Sequence, residues 1–359
     1  MLRLDSHPDA CLRHPYDVLE GWISGEGPVA ARLNGMDLTV TQVPRPDLGS
    51  AGAGFRAYVD LTAMPTVGAS MTLEVVNAAP ASESLTMAAV YGLAFEVEAA
   101  GNARKRKRAW LESRLQAGQS GEQTCAAMSL LDPASGFSGS LAEKRDGVSA
   151  HPYPRELEAL LAERGKDPGF MALDFGAGFK RANRSNVIFH EVFDYPSTDI
   201  LSLGQKLPFE DACFDMVITL AVLEHVDDPF ACAKEIVRVL KPGGIVFSGI
   251  PFMQPEHGYP DHYFNATRSG HKQLYGKAIE VLEHFVADHQ HPFLSLQWIL
   301  RSYLLGLPEE ARAAMSGMTV GAILSQRYWR DRNQAHISGL GEQATWELAS
   351  ATTLVGRKL

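Results

Sequence analysis

The sequence predicts an α/β fold: a doubly wound, mostly parallel sheet preceded by a small antiparallel β-sandwich. Three observations lead there. From Val148 onward, short apolar runs alternate with segments of helical spacing, as strands joined by crossover helices do. Within that part, Ala172-Leu173-Asp174-Phe175-Gly176-Ala177-Gly178 brings an acid and two glycines to one tight turn at the end of a buried run. The carboxyl ends of strands are where open α/β sheets bind ligands. Before about Ala100 the runs are short, rich in strand-forming residues and separated by Gly- and Pro-bearing turns, which suits a sandwich.

Composition sets the bounds. With 359 residues, 45% hydrophobic and 21% charged, the chain is an ordinary globular one, long enough for two domains with sizeable cores. A net charge of −9 argues against a dedicated nucleic-acid binder, which usually carries a basic field. Cys11, Cys125, Cys213 and Cys232 are far apart and form no CxxC pair, so neither a zinc ribbon nor a disulfide framework is expected. No apolar run is long enough to span a bilayer, and Met1 to Ala10 is polar. A cytoplasmic protein without a membrane span is expected.

Taken in order, residues 1–103 form the expected sandwich. Asn34-Gly35 lies between Val29–Leu33 and Met36–Val40, and favours a type I′ hairpin turn because both residues must take positive φ. Phe55–Leu61, Ser70–Val76 and Tyr91–Val97 are the further strand candidates. Trp22, Arg32, Arg45 and Tyr58 are the residues available for a sugar-binding face, although aromatics in small sandwiches mostly build the core. Residues 104–147 read as a linker with a basic helix. Its run Arg104-Lys105-Arg106-Lys107-Arg108 is expected on a solvated face, and Gly118 to Gly147 is rich in Gly, Ser and small residues.

Residues 148–359 carry the alternating pattern. Pro154 to Arg164 has helical spacing with an early proline, and Gly165 stops it. A first strand ends in Asp174, and others follow at Asn186–Phe193, Thr198–Leu203 and Phe214–Leu220, the last nearly all apolar, as strands buried on both faces are. The second and third are too close for an ordinary crossover helix, so that helix is expected to be missing or reduced. Asp228-Pro229 opens a helix that runs to Leu240; Lys241-Pro242-Gly243-Gly244 ends it, and Ile245–Ile250 is the fifth strand. Phe293–Leu305 reads as a helix in a C-terminal insertion, with Ala351–Gly356 as a final edge strand. The aromatics Trp298, Tyr303, Tyr328 and Trp329 are expected in the core.

Five segments in register carry a resemblance: Leu173 to Gly178, Leu207-Pro208-Phe209, Phe214 to Val217, Val222-Leu223-Glu224-His225-Val226 and Arg238 to Gly244. Their order and spacing resemble class I S-adenosylmethionine-dependent methyltransferases, more closely the UbiE-like methyltransferase-11 group with its Rossmann-like sheet. The resemblance covers about Val148 to Pro251; no family is assigned to the sandwich. It implies S-adenosyl-L-methionine (SAM) as cofactor. Asp174, Gly176, Ala177 and Gly178 would hold its amino-acid part, and Glu191 the ribose hydroxyls, with Asp194 the runner-up. Leu203 and Gly204 would lie beside the adenine, and Leu220 and Ala221 beside the methionine. Asp215 would be structural. Two positions depart from the family: Lys180 replaces the third glycine, and Leu203 stands where an acid commonly meets the adenine amino group. A nicotinamide enzyme would need glycine at Arg181.

Chemistry on the acceptor points to the loop after strand five, which places two histidines, an acid, two tyrosines and an asparagine between His257 and Asn265. A neutral imidazole accepts a hydroxyl proton at working pH. His257 or His262 is the expected base, with Asp261 as orienter; the alternative is a lid that only closes the pocket. Glu224 and His225 either face the reacting methyl or form the pocket wall. No metal site is expected, since no third ligand motif accompanies His257, Asp261 and His262. The expected activity is methyl transfer to a hydroxyl or amine of a small-molecule or saccharide-like acceptor, in surface-polysaccharide biosynthesis by analogy, in a possible homodimer. The alternative is a catalytically inactive scaffold acting through the sandwich.

Overall fold

The structure, a computed structural model, describes residues 1–48, 52–77, 82–115, 122–123, 128–129, 150–258 and 261–350. It divides into two compact units: Met1–Tyr153, Ala159–Leu220 and Ala231–Ser248 in the first, and Pro154–Glu158, Ala221–Phe230 and Gly249–Leu359 in the second.

The first unit begins with nine strands: β1 (Leu2–Leu4), β2 (Cys11–Leu12), β3 (Tyr16–Ser24), β4 (Ala30–Leu33), β5 (Met36–Asp37), β6 (Thr39–Val43), β7 (Gly52–Asp60), β8 (Ser70–Val76) and β9 (Ser82–Ala89). They make two sheets, ordered β1-β3-β7-β6 and β2-β9-β8-β4-β5. Pairing is antiparallel except at β2/β9. Leu19, Ile23 and Phe55 of one sheet share a core with Leu33, Leu73, Val75 and Met87 of the other. Strands β4 and β5 pair Leu33 with Met36 across Asn34 (φ 48°) and Gly35 (φ 78°), the two positive angles a type I′ turn requires.

One expected strand is a helix instead. Tyr91–Val97 runs into α1 (Leu93–Glu112), and the last strand of the sandwich is β9. Leu93, Val97, Ala100, Ala103, Lys107 and Leu111 are the buried positions of α1, at the three- and four-residue steps of one helix face. The short apolar window at its start suits strand or helix, and only the continuation decides.

The basic run lies on this helix, but it is not the expected solvated face. Lys107 is fully buried; its Nζ pairs with Asp199, donates to Val187 O at 3.0 Å and lies 4.2 Å from the Phe189 ring centroid. Arg104 pairs with Asp60 and also donates to Pro196 O. Arg106 donates to Pro168 O at 2.9 Å, and the Trp110 ring stands 4.9 Å from Phe214. The N-terminal region thus sends a helix onto the parallel sheet of the same unit.

That sheet is ordered β10-β11-β14-β13-β12-β15-β16, with β10 (Glu122–Gln123), β11 (Met128–Ser129), β12 (Ala172–Phe175), β13 (Val187–Glu191), β14 (Ile200–Leu201), β15 (Phe214–Leu220) and β16 (Leu240–Gly249). Parallel pairs run from β11 through β14, β13 and β12 to β15, and Asp174 is level with Phe189 on one side and Ile218 on the other. Helices α2 (Arg155–Arg164) and α3 (Pro229–Val239) accompany it. The helix expected to be missing between β13 and β14 is absent, and residues 176–186 between β12 and β13 form no helix either. Helix α1 stands in for them, packing Lys107 on Val187 and Phe189 of β13. Strand β16 starts at Leu240 rather than Ile245, with Gly243 at φ 78° inside it. Asp215 is structural, accepting from Met171 N at 2.9 Å and pairing with Lys241 at 2.8 Å.

The second unit is mostly helical, with α4 (Arg268–Tyr275), α5 (Pro292–Leu305), α6 (Glu309–Ser316) and shorter turns around a small core of Leu307, Ala311 and Met315. Helix α5 matches the expectation; Tyr328 and Trp329 do not, being exposed rather than core. Ala351–Gly356 and most of Gly118–Gly147 lie outside the described residues. Among the described residues, no helix is long and apolar enough to cross a membrane.

Candidate functional site

The first cluster is the glycine turn of the first unit. After β12 the chain turns with Gly176 at φ 69° and Gly178 at φ 65°, left-handed conformations that suit glycine and keep a Cβ away from any ligand there. Ala177 N donates to His190 O at 2.9 Å, tying the turn to β13. Gly178 N donates to Glu191 Oε1 at 3.1 Å, while Glu191 Oε2 accepts from Val192 N at 2.6 Å and Phe193 N at 3.2 Å. Burial pushes the Glu191 carboxyl above its usual pKa, opposed by these three amides. A carboxylate has about four acceptor sites, so one is left.

Asp174 is buried, accepts from the Tyr153 hydroxyl and lies 3.4 Å from Lys180 Nζ, which also sits 4.3 Å from the Tyr153 ring centroid. Lys180, the departure from the usual third glycine, therefore reaches back to the acid that opens the turn. Arg181 pairs with Asp17 of the sandwich, a fully buried acid that also meets His7 Nε2 at 3.2 Å. Desolvation would raise the pKa of Asp17, yet His7 and Arg181 together hold it below the usual value. Leu203 and Gly204 follow β14; a Cβ on Gly204 would stand 2.3 Å from Phe175 Cζ, so close packing on that ring explains the glycine. Asp194 is exposed. Leu220 ends β15.

His190 was not singled out by the sequence. Its ring stacks on Phe175 at 5.1 Å, Nε2 donates to Ser202 O at 3.0 Å, and buried Nδ1 has no hydrogen-bond partner among the described residues. Burial pulls its pKa down to about 4. Between about 6.5 and 4 the unfolded chain binds the extra proton, so stability falls as pH falls through that window. Against wild type, His190→Gln should remove about 2 kcal/mol of the stability lost between pH 7.5 and 5.0, read from urea midpoints. An unchanged pH dependence would contradict the buried neutral ring.

The second cluster lies in the second unit. Ala221 takes φ 54°, an unusual left-handed angle for a residue with a Cβ, and donates to Gly249 O at 3.0 Å. A short turn at Leu223–His225 follows. Glu224 O accepts from Tyr263 N at 2.7 Å, and His225 Nδ1 donates to Asp261 O at 2.7 Å. Asp261 thus meets a histidine through its carbonyl, and that histidine is His225. His257 Nδ1 donates to Pro255 O at 2.9 Å, and its ring centroid lies 4.3 Å from His262, 5.1 Å from His225 and 5.1 Å from Trp298. His262 Nδ1 accepts from His257 N at 3.2 Å, and its Nε2 meets Phe264 O and Asn265 Oδ1, both at 3.1 Å. Burial raises Glu224 to a pKa of about 8 and lowers His225 to about 4.

Residues 158–248, which hold the glycine turn, β13 and the Leu223–His225 turn, match the family described as a methyltransferase domain. This part of the chain is a methyltransferase domain. An uncharacterized methyltransferase of Mycobacterium sp. (strain JLS) is 30% identical over 156 residues, covering 38% of this chain and 60% of that protein. The cycloartenol-C-24-methyltransferase 1 of Oryza sativa subsp. japonica is 39% identical over 69 residues, 19% of this chain and 18% of the relative. The chain thus spans only part of the curated relatives it matches. Among solved structures, the [4+2]-cyclase SpnF is distant, with a TM-score of 0.32, 18% identity, and coverage of 57% of this chain and 83% of that one. The sequence signals missed around the methyltransferase domain are Tyr153, Asp17 and His190, none of which belongs to its recognisable segments.

An open groove of 530 Å³ on the sandwich is lined by Glu26, Gln42 and Arg45 among others. Arg45, considered above for a sugar-binding face, is held by Asp5 and Asp47 there, and Tyr58 is buried.

Proposed function

We infer that the chain is a SAM-dependent methyltransferase acting on a hydroxyl or amine of a small-molecule or saccharide-like acceptor. The observation that carries this reading is the Gly178–Glu191 bond, which brings the glycine turn and the acid ending β13 together inside the methyltransferase domain. The residues suit the cofactor. Glu191 keeps an acceptor site for a ribose hydroxyl. Buried Asp174 and half-buried Lys180 form a pair of opposite charges, complementary to the ammonium and carboxylate of an amino acid. Read this way, Lys180 supports binding where a glycine usually stands. When bound, SAM supplies a sulfonium-activated methyl, and the chain's task is to align the acceptor with it.

For an acceptor that must lose a proton, His257 offers a lone pair, since its Nδ1 is spent on Pro255 O and its Nε2 has no hydrogen bond among the described residues. His262 and Asp261 position the loop.

Calorimetric titration of the full chain with SAM and S-adenosylhomocysteine tests the reading. Both are expected to bind, and Asp174→Asn to weaken them about tenfold or more, a loss of one charge-assisted contact. Absence of binding by either would favour the inactive scaffold.

A further inference from the structure

Glu224 is fully buried, and among the described residues neither carboxylate oxygen has a hydrogen-bond partner. Buried carboxylates are normally paired, hydrogen-bonded or bound to a metal, because desolvating one alone is costly. The groups around this one are metal-ligating groups. His225 Nε2 lies 3.9 Å from Glu224 Oε1, and one ligand atom each from Glu224, His225 and His257 all lie within 4.8 Å of one another. Both imidazoles are oriented by backbone carbonyls, His225 by Asp261 and His257 by Pro255. A carbonyl only accepts, so each Nδ1 carries the proton and each Nε2 presents a lone pair. Outer hydrogen bonds of this kind fix the tautomer and ring direction of metal-bound histidines.

We propose that Glu224, His225 and His257 form a binding site for a divalent transition metal, zinc being the best match to two imidazoles and a carboxylate. Zinc bonds of about 2.0–2.2 Å in a tetrahedron set ligand atoms roughly 3.3 Å apart. The cluster therefore closes by about an ångström around the ion, through side-chain torsions. Three protein ligands leave a fourth position for water or a ligand oxygen, the open arrangement of catalytic rather than structural zinc sites. His262 stays outside the ligand set because both its nitrogens are engaged within the loop. The ligand set differs from the one weighed on sequence: Glu224 and His225 join His257, while Asp261 contributes a carbonyl to the outer layer. The site lies within the second unit and needs no SAM. A bound ion uses the lone pair that the base assignment gives to His257, so occupancy would pass acceptor activation from the imidazole to the metal.

Full-length protein stripped with a chelator and titrated with Zn²⁺ by calorimetry tests this. One ion per chain is expected, with affinity at least tenfold weaker in Glu224→Gln and in His257→Ala. His271→Ala, in the separate His271–His284 pair at 5.4 Å, should leave it unchanged. Thermal melts of the metal-free variants separate loss of ligand from loss of fold, and Glu224→Gln keeps the side chain's shape while removing its capacity to ligate as a carboxylate. No stoichiometric binding, or binding unaffected by Glu224→Gln and His257→Ala in folded protein, overturns the proposal.

Discussion

Lys107→Ala is expected to lower the unfolding free energy by about 3–5 kcal/mol, the usual cost of leaving one partner of a buried ion pair alone. Lys107 is fully buried and donates to Asp199, itself nearly inaccessible. Removing the ammonium leaves the buried Asp199 carboxylate with the Phe189 amide at 2.8 Å and without the cation that balances its charge. Burial already pulls the Lys107 pKa down, so the pair need not add stability over an apolar contact. The double variant Lys107→Met/Asp199→Asn should therefore recover most of the loss, because Asn still accepts from Phe189 N and no charge is stranded. Equilibrium denaturation of the three proteins is the measurement. If Lys107→Ala costs under about 1 kcal/mol, as a surface ion pair would, helix α1 does not hold the sheet as described.

This helix marks where sequence reading ran short. A run of five cations in a chain of net charge −9 reads as a solvated face. The steps Leu93, Val97, Ala100, Ala103, Lys107 and Leu111 instead put one cation on the buried stripe. That periodicity was available, but its start overlaps a window short enough to read as a strand. The acid that receives Lys107 is Asp199, far along the chain, and no local pattern links them. By contrast, β12, β15 and α3 were legible because each is long or apolar enough to show its own period, and Asn34-Gly35 because two positive φ angles leave few residue choices. The same distinction holds at the glycine turn. Gly176 and Gly178 fall in a recognisable segment and Glu191 lies near the end of an expected strand, whereas Tyr153 on Asp174 and Asp17 on Arg181 are long-range pairings. Arg181 gave a negative inference against a nicotinamide site; its pairing with Asp17 gives it a positive role. The histidine cluster was half legible, since sequence proximity shows His257 and His262 together but not that Glu224 and His225 meet them.

Glu191→Gln should weaken SAM and S-adenosylhomocysteine together by about 10- to 100-fold, about 1.5–3 kcal/mol for a charged hydrogen bond. The substitution is nearly isosteric but exchanges an acceptor for a donor. Glu191 accepts from Gly178 on one oxygen and from Val192 and Phe193 on the other, and an amide satisfies one side only. A stability loss of about 1–3 kcal/mol should accompany the loss of binding, from the unpartnered amide. The two effects separate by pH. Since burial raises the Glu191 pKa, wild-type affinity should begin to fall on acidification at a higher pH than an ordinary carboxylate would give. The Gln variant should lack that titration. If stability falls while cofactor affinity and its pH dependence stay at wild-type values, Glu191 only ties the turn to β13. Exposed Asp194 is then the acid to test for the ribose, and Asp194→Asn would carry the binding loss instead.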